Sequence, residues 1–459
     1  MTTAAHVPGR TATRPGGAGR APHSSSDDRH ALRRVDWAAP TTAAFYRSLE
    51  AALEPVGEPA GLDPVRNPFA PGAGQRPPEL AGRERELQRF GVVLERVARG
   101  RPERGVVLTG MRGVGKTALL SAFRTMAARR RWGTGKVEAR PGRPIRPQLA
   151  AALGGALRDL AQRHRAPERV DRAMSALAAF AGAPADRPGT DDRGRPTGAG
   201  PEPPAPVRGR AGSVGPGSDL TDLFAESAAI AADLGTGIAL FIDEMHDLSA
   251  DDLAALCTAC HELAQTGGPL IVVGAGLPHL PALLADSRSY AERLFRYARV
   301  GPLGRAAAID ALVVPARLEG VAFEPGALDS LYEVSGGYPF FVQTYARATW
   351  DVALRSPISA GDVAAAVPDA DDELAAGFFG GRYERATPAE RSYMRAMAAM
   401  GDRPVRAAEV ATALGRPLAA PCPALDSLIR KGLVHSATRD TIAFTVPHFG
   451  RYLRLRRHS

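Results

Sequence analysis

The sequence predicts an α/β protein built on a parallel sheet, followed by an all-helical segment and a compact C-terminal unit of helices and a hairpin. Three observations carry this reading. A short apolar strand at 106–108 runs through a glycine-rich loop into a helical pattern. A second apolar strand, 238–242, ends in two acids. Strands alternate with helices as far as residue 273, whereas only helical patterns follow from 305 to 384.

The first strand and its loop read Gly105-Val-Val-Leu-Thr-Gly-Met-Arg-Gly-Val-Gly-Lys-Thr-Ala-Leu-Leu120. Within it Gly110, Met111, Arg112, Gly113, Val114, Gly115, Lys116 and Thr117 fit G-x-x-x-x-G-K-[ST], with Ala118 opening the helix. Glycines let several backbone N–H groups turn inward at the positive end of a helix, which holds phosphate. Lys116 is expected on the β and γ phosphates and the Thr117 hydroxyl on Mg²⁺. The chain has three lysines, Lys116, Lys136 and Lys431, among many arginines, so a lysine at this position points to a need for a compact ammonium.

Composition narrows the class further. A length of 459 residues suits two or three domains, and 44% hydrophobic with 23% charged residues is ordinary for a globular chain. The formal charge of +9 arises in an Arg-, Ala-, Gly- and Pro-rich composition, so only a localised basic cluster argues for an anionic partner. Three cysteines make no disulfide framework and point to a reducing compartment. No apolar core marks a secretory signal and no run of roughly 18 apolar residues marks a membrane span, so a cytoplasmic location without membrane contact is expected.

Along the chain, residues 1–78 read as a disordered tail, with helical spacing only at 41–53. Order is expected from Glu79, with Leu87, Phe90, Val93 and Leu94 on the inner side of a helix. A strand at 136–139 and helices at 149–164 and 170–181 follow. Residues 182–217, almost without apolar side chains, read as a disordered insertion. Helices at 220–234 and 251–265 then flank the strand 238–242 and precede a strand at 270–273. The resulting division is an α/β unit at 79–302, a helical unit at 303–384 and a C-terminal unit at 385–459.

Ile238-Ala-Leu-Phe-Ile-Asp-Glu244 supplies the second half of a phosphate site, because a parallel strand delivers its last residues to the edge where α/β ligands sit. Asp243 is expected to hold the Mg²⁺ shell, and Glu244 suits a general base for an attacking water, which favours hydrolysis over transfer. These motifs, with the further strand leading to Gly274-Ala-Gly-Leu-Pro278, resemble the AAA+/STAND branch of P-loop ATPases of the ASCE type. The nearest likeness is to origin-initiator-like bacterial and archaeal ATPases with a C-terminal winged helix. The resemblance implies ATP and Mg²⁺ as ligands, and it implies that Leu80-Ala-Gly-Arg-Glu-Arg-Glu-Leu87 lies near adenine. Two departures stand out. Gly274, Ala275 and Gly276 occupy the strand end where the family places a polar γ-phosphate sensor. Ser335-Gly-Gly-Tyr-Pro-Phe340 stands where initiators present an arginine, and it is similar to the G-x-P lid motif of STAND ATPases, making Pro339 an adenine contact. Of Arg288, Arg293 and Arg296, Arg293 is the choice for an arginine finger reaching a neighbouring subunit in a homo-oligomer. Cys257, Cys260 and His261 read as helix packing rather than as a metal site.

From residue 387 three helices and two short strands resemble a winged helix-turn-helix, implying double-stranded DNA as a partner. Ser427, Arg430 and Lys431 on the third helix and Arg439 on the wing are the candidate DNA contacts, and Arg451-Tyr-Leu-Arg-Leu-Arg-Arg-His458 is a local basic cluster. Two functions stay open: an ATP-controlled DNA-binding factor, or a signalling switch whose winged helix makes protein–protein or autoinhibitory contacts.

Overall fold

A computed structural model describes residues 62–72, 77–164, 177, 216–415, 422–438, 440–446 and 448–456. Helix α1 (Glu84–Ala98) leads into β1 (Gly105–Thr109), α2 (Lys116–Arg129) and β2 (Gly133–Glu138). Helices α3 (Arg146–His164) and α4 (Pro216–Asp233) then precede β3 (Ile238–Asp243). Next come α5 (Ala250–Thr266), β4 (Leu270–Gly276), α6 (Leu280–Ser287), the single turn α7 (Ala291–Leu294) and β5 (Phe295–Arg299).

The five strands form one parallel sheet in the order β2-β3-β4-β1-β5. The inner strand β3 is buried along its whole length, and its side chains alternate between two cores. Leu240 packs with Leu153, Leu157, Phe224 and Leu256 from α3, α4 and α5. Phe241 packs with Phe90, Leu119 and Phe123 from α1 and α2, and the Phe90 and Phe123 rings stack at 4.2 Å. This three-layer arrangement places the C-terminal ends of β1, β3 and β4 along one edge, where the phosphate loop begins.

Helices α8 (Arg305–Leu318), α9 (Pro325–Ser335), α10 (Pro339–Val352) and α11 (Ala360–Glu373) follow, as the periodicity predicts. A π-helical turn, Leu374–Gly380, then breaks the regular hydrogen-bond ladder and leads into the turn α12 (Gly381–Glu384). The C-terminal region contains α13 (Pro388–Ala399), β6 (Val405–Arg406), α14 (Ala407–Ala413), α15 (Pro423–Arg430), β7 (Val434–Ser436), β8 (Thr441–Phe444) and α16 (Phe449–Leu455). Its antiparallel sheet has the order β6-β8-β7. A capping box between Thr387 and Glu390 starts α13.

Several expectations need correction. The tail expected to be disordered through residue 78 is ordered at 62–72, because Phe69 (2% exposed) inserts between Phe323 and Trp350. Local composition cannot register an anchor whose partners lie some 250 residues away. No strand is expected at 295–299, yet β5 is an edge strand whose Arg296 and Arg299 point outward and hide the apolar signature. The second of the three C-terminal helices, which the periodicity places at 405–414, instead begins with the strand β6, since Val405 pairs with Ile442. The described part of the basic tail is not a free cluster either: α16 carries Arg451, which pairs with Asp371, and Arg454, which pairs with Asp402, and Arg456 just after it stacks over Tyr383. The expected helices at 41–53 and 170–181 (apart from Leu177), most of the insertion and Arg439 lie outside the described residues, while 216 and 217 open α4.

Candidate functional site

The phosphate loop sits between β1 and α2 at the sheet edge. Gly110 N–H bonds Gly276 O at 3.2 Å, tying the loop to β4. Gly115 caps α2 at φ +89°, a left-handed conformation that a side chain would strain, so the glycine is a backbone requirement. Lys116 is 8% exposed and donates to Gly110 O and Met111 O, both at 2.9 Å. Burial drives its ammonium down to about 8, against the attraction of Glu244 and Asp243, while Arg112 adds to the depression. From below, the Arg83 guanidinium donates to Val114 O at 3.2 Å and to Gly301 O at 2.5 Å. The opening segment Leu80–Arg83 therefore braces the loop it precedes.

Asp243 ends β3 buried (4% exposed), with its Oδ1 accepting the Glu244 N–H at 3.0 Å. Glu244 itself takes a left-handed backbone, φ +48° and ψ +39°, uncommon for a side-chain-bearing residue and costing roughly 1–3 kcal/mol. The conformation turns its carboxylate toward the loop, where Oε1 meets Arg112 Nη1 at 3.1 Å. Oε2 is buried and lacks a hydrogen-bond partner. His246 Nδ1 lies 3.5 Å from that oxygen and accepts the Leu277 N–H at 3.4 Å. Burial, with the nearby charges of Arg112, His279 and Lys116, lowers His246 to about 3, so the imidazole is neutral. Burial and Glu244 together raise Asp247 to about 6.

A cavity of about 600 Å³ opens over the loop, a size typical of small-molecule sites. The loop, Glu244, Leu80 and Ala81 form its floor, while Pro339 and Phe340 close it from α10. Phe340 N–H donates to Gly113 O at 3.2 Å, so the lid helix begins directly on the loop. Pro339 and residues 110–117 are therefore brought together with Asp243 and Glu244.

Three groups at the site left little trace in the sequence. Arg382 from α12 lines the same cavity, with its guanidinium 4.2 Å over the Phe378 ring. Burial, then repulsion from Arg112 and Arg385, lowers it to about 10, with Glu244 opposing. A cation from the far end of the helical unit thus lines the cavity over the loop, where the sequence shows no arginine in the Ser335–Phe340 motif. His246 could have been noticed two positions after the acid pair. The turn at Gly432 is the third: a Cβ there would stand 3.0 Å from Leu277 Cδ1 and 3.5 Å from Arg112 Nη2.

Other expected residues lie elsewhere. Arg293 is exposed in α7, just before β5 at the sheet edge opposite the loop, and so away from this chain's own site. Lys431 is exposed, but its ammonium is already engaged, binding Glu390 at 2.7 Å and Arg385 O at 3.2 Å. Ser427 also bonds Glu390, whereas Arg430 is exposed. Cys257 and Cys260 are free thiols, and no cluster of three or more metal-ligating residues occurs among the described residues.

Residues 79–273 match the family described as AAA ATPase domain. This segment is an AAA-type P-loop ATPase domain. Residues 376–453 match a family described as a domain of unknown function, DUF8462. No curated protein matches the chain. Among solved structures, the Walker-type ATPase PABY2304 of Pyrococcus abyssi superposes with TM-score 0.54 at 17% identity, covering 83% of this chain and 97% of that one. The Orc1 protein of Aeropyrum pernix in complex with DNA gives TM-score 0.40 at 15% identity, covering 83% and 96%. The RuvB Holliday junction branch migration motor of Thermotoga maritima gives 0.39 at 17%, covering 84% and 99%. Of these three, only the first likeness is strong enough to speak of a shared fold. No described helix is long and apolar enough to cross a membrane.

Proposed function

We propose that the protein is a Mg²⁺-dependent ATPase that works as a nucleotide-controlled switch, with the position of its C-terminal region as the output. The observation that carries this reading is the Glu244–Arg112 ion pair together with the approach of the Gly432 turn to Arg112, close enough that a Cβ on Gly432 would stand 3.5 Å from Arg112 Nη2. The residue suited to activate water is held by an arginine of the phosphate loop, and the Gly432 turn of the C-terminal region lies near that same arginine. Nucleotide occupancy and C-terminal docking therefore compete for one side chain.

In this reading the backbone of residues 110–118 and Lys116 bind the phosphates, and Arg382 offsets their charge from the lid side. Thr117 and Asp243 offer the hard oxygen donors that Mg²⁺ takes; without a dedicated protein cage, they fit an ion carried in with the phosphates. The ion would neutralise charge developing on the β and γ phosphates. Glu244, once free of Arg112, accepts a proton from the attacking water as the β–γ bond breaks. Pro339 packs against the adenine. The working units are the ATPase domain at 79–302, the lid at 303–384 and the C-terminal region at 385–459, whose helix, strand, two helices and hairpin follow winged-helix order.

DNA as the output is the second reading, favoured by that order and by the exposed Arg430. It has lost Lys431, Ser427 and the α16 arginines to internal partners, so an autoinhibitory contact is the better-supported role for the docked state. Hydrogen exchange with and without a slowly hydrolysed ATP analogue tests the switch. Faster exchange at the Gly432 turn and α15 is expected with nucleotide bound, and unchanged exchange there refutes it. A gel shift in both states tests DNA, since salt-sensitive binding in neither state removes that reading.

A further inference from the structure

The segment 62–72 is the least expected ordered part of the chain, and it runs along the lid into the wall of the nucleotide cavity. Its course is fixed by specific bonds. Trp350 Nε1 donates to Asp63 O at 3.2 Å. The Asn67 amide donates to Arg347 O at 3.1 Å and to Asp351 Oδ1 at 2.8 Å, and its Oδ1 accepts the Phe69 N–H at 3.0 Å. Phe69 stands edge-on to Phe323 and Trp350 at 6.3 and 6.2 Å. Beyond that anchor, Ala70 N–H donates to Gln343 Oε1 at 3.3 Å, and Ala70, Pro71 and Gly72 face the cavity.

The position along α10 says which part of a ligand this wall meets. Phe340, at the start of α10, donates its N–H to Gly113 O of the phosphate loop. Gln343 lies one helical turn on, about 6 Å farther from the phosphates. Lys116, Arg112 and Arg382 line the phosphate end, whereas the strap end is lined by Pro71, Pro77, Leu80, Ala81 and Val342 with the Gln343 amide. A largely apolar slot with the Gln343 amide and the Glu79 carboxylate in its lining, placed beyond the phosphates, suits a flat heterocycle.

We propose that the 62–72 strap is the base-recognising wall of the nucleotide site, with Asn67, Phe69 and Gln343 as the residues that position it. This rests on the nucleotide-binding reading and adds the source of its base preference. The strap turns a loop that binds any polyphosphate into a site that selects a nucleoside triphosphate by its base.

The test uses the full-length chain, with calorimetric titration of ATP, GTP and inorganic tripolyphosphate. Wild-type protein is expected to bind ATP more tightly than tripolyphosphate and to separate ATP from GTP. Phe69→Ala, which releases the strap, is expected to weaken ATP about tenfold or more, leave tripolyphosphate unchanged and bring the ATP and GTP affinities together. Asn67→Ala, outside the core, moves ATP in the same direction by a smaller factor, so a folding defect in the first variant does not decide the outcome. Equal loss of ATP and tripolyphosphate, or no loss of ATP in either variant, overturns the proposal. A wild-type protein that binds tripolyphosphate and ATP alike overturns the strap's role while leaving the phosphate site standing; one that binds neither overturns both.

Discussion

Replacing Arg112 with glutamine tests the link between catalysis and docking most directly. The Arg112–Glu244 pair is 3.1 Å long and each side chain is about a quarter exposed, 27% and 28%. At that distance and an effective dielectric of about 20 the bare attraction is about 5 kcal/mol. Desolvation of both charges and the freedom lost in holding them return most of it, leaving roughly 1–1.5 kcal/mol. If water activation requires this pair to open, Arg112→Gln lowers the barrier by that amount and raises turnover about five- to tenfold. The assay is phosphate release at saturating Mg²⁺-ATP, with the dissociation constant measured alongside so that binding and chemistry separate. The same variant should speed hydrogen exchange at the Gly432 turn, because that turn lies close to the Arg112 side chain. A turnover equal to or below wild type, with ATP still bound, refutes the claim that Arg112 restrains Glu244.

Lys116→Ala should abolish ATP binding in calorimetry, and an unchanged affinity would defeat the phosphate-site assignment. Because the free protein's Lys116 loses its proton near pH 8 and the phosphates need it charged, ATP affinity should fall about tenfold per pH unit above 8, with proton uptake visible as buffer-dependent binding heat. Glu244→Gln should retain ATP and stop turnover; a normal phosphate-release rate would show that another group activates the water. Glu390 offers a stability test: burial pushes its carboxyl up, but hydrogen bonds from Lys431, Ser427 and the Thr387 N–H outweigh it and bring the group down to about 2. Its contribution is present above the ordinary value of 4.5 and is lost as pH falls from there toward 2. Lys431→Ala should cost roughly 1–2 kcal/mol and move the acid-unfolding midpoint upward, read by circular dichroism. An unmoved midpoint would mean the pair contributes nothing.

What the sequence determined by itself is local in the chain. The phosphate loop, the acids ending β3 and the alternation of strands and helices depend on contiguous residues whose spacing the backbone converts directly into geometry. Pro339 belongs with them, since a glycine pair followed by proline dictates the turn that starts α10. Only the tertiary structure decided the rest. Strand β5 was hidden because an edge strand tolerates outward arginines and loses the apolar run that marks a buried one. Arg382 reaches the cavity through a π-helical turn with no periodic signature. Lys431 and the α16 arginines looked free for phosphate until folding brought Glu390, Asp371 and Asp402 to them. Phe69 and Asn67, set in a Pro- and Gly-rich tail, gain their meaning from Trp350, Phe323 and Asp351, more than 250 positions onward. Contacts at such separations leave no pattern in the sequence around either partner, and they hold only where packing makes them cheaper than water.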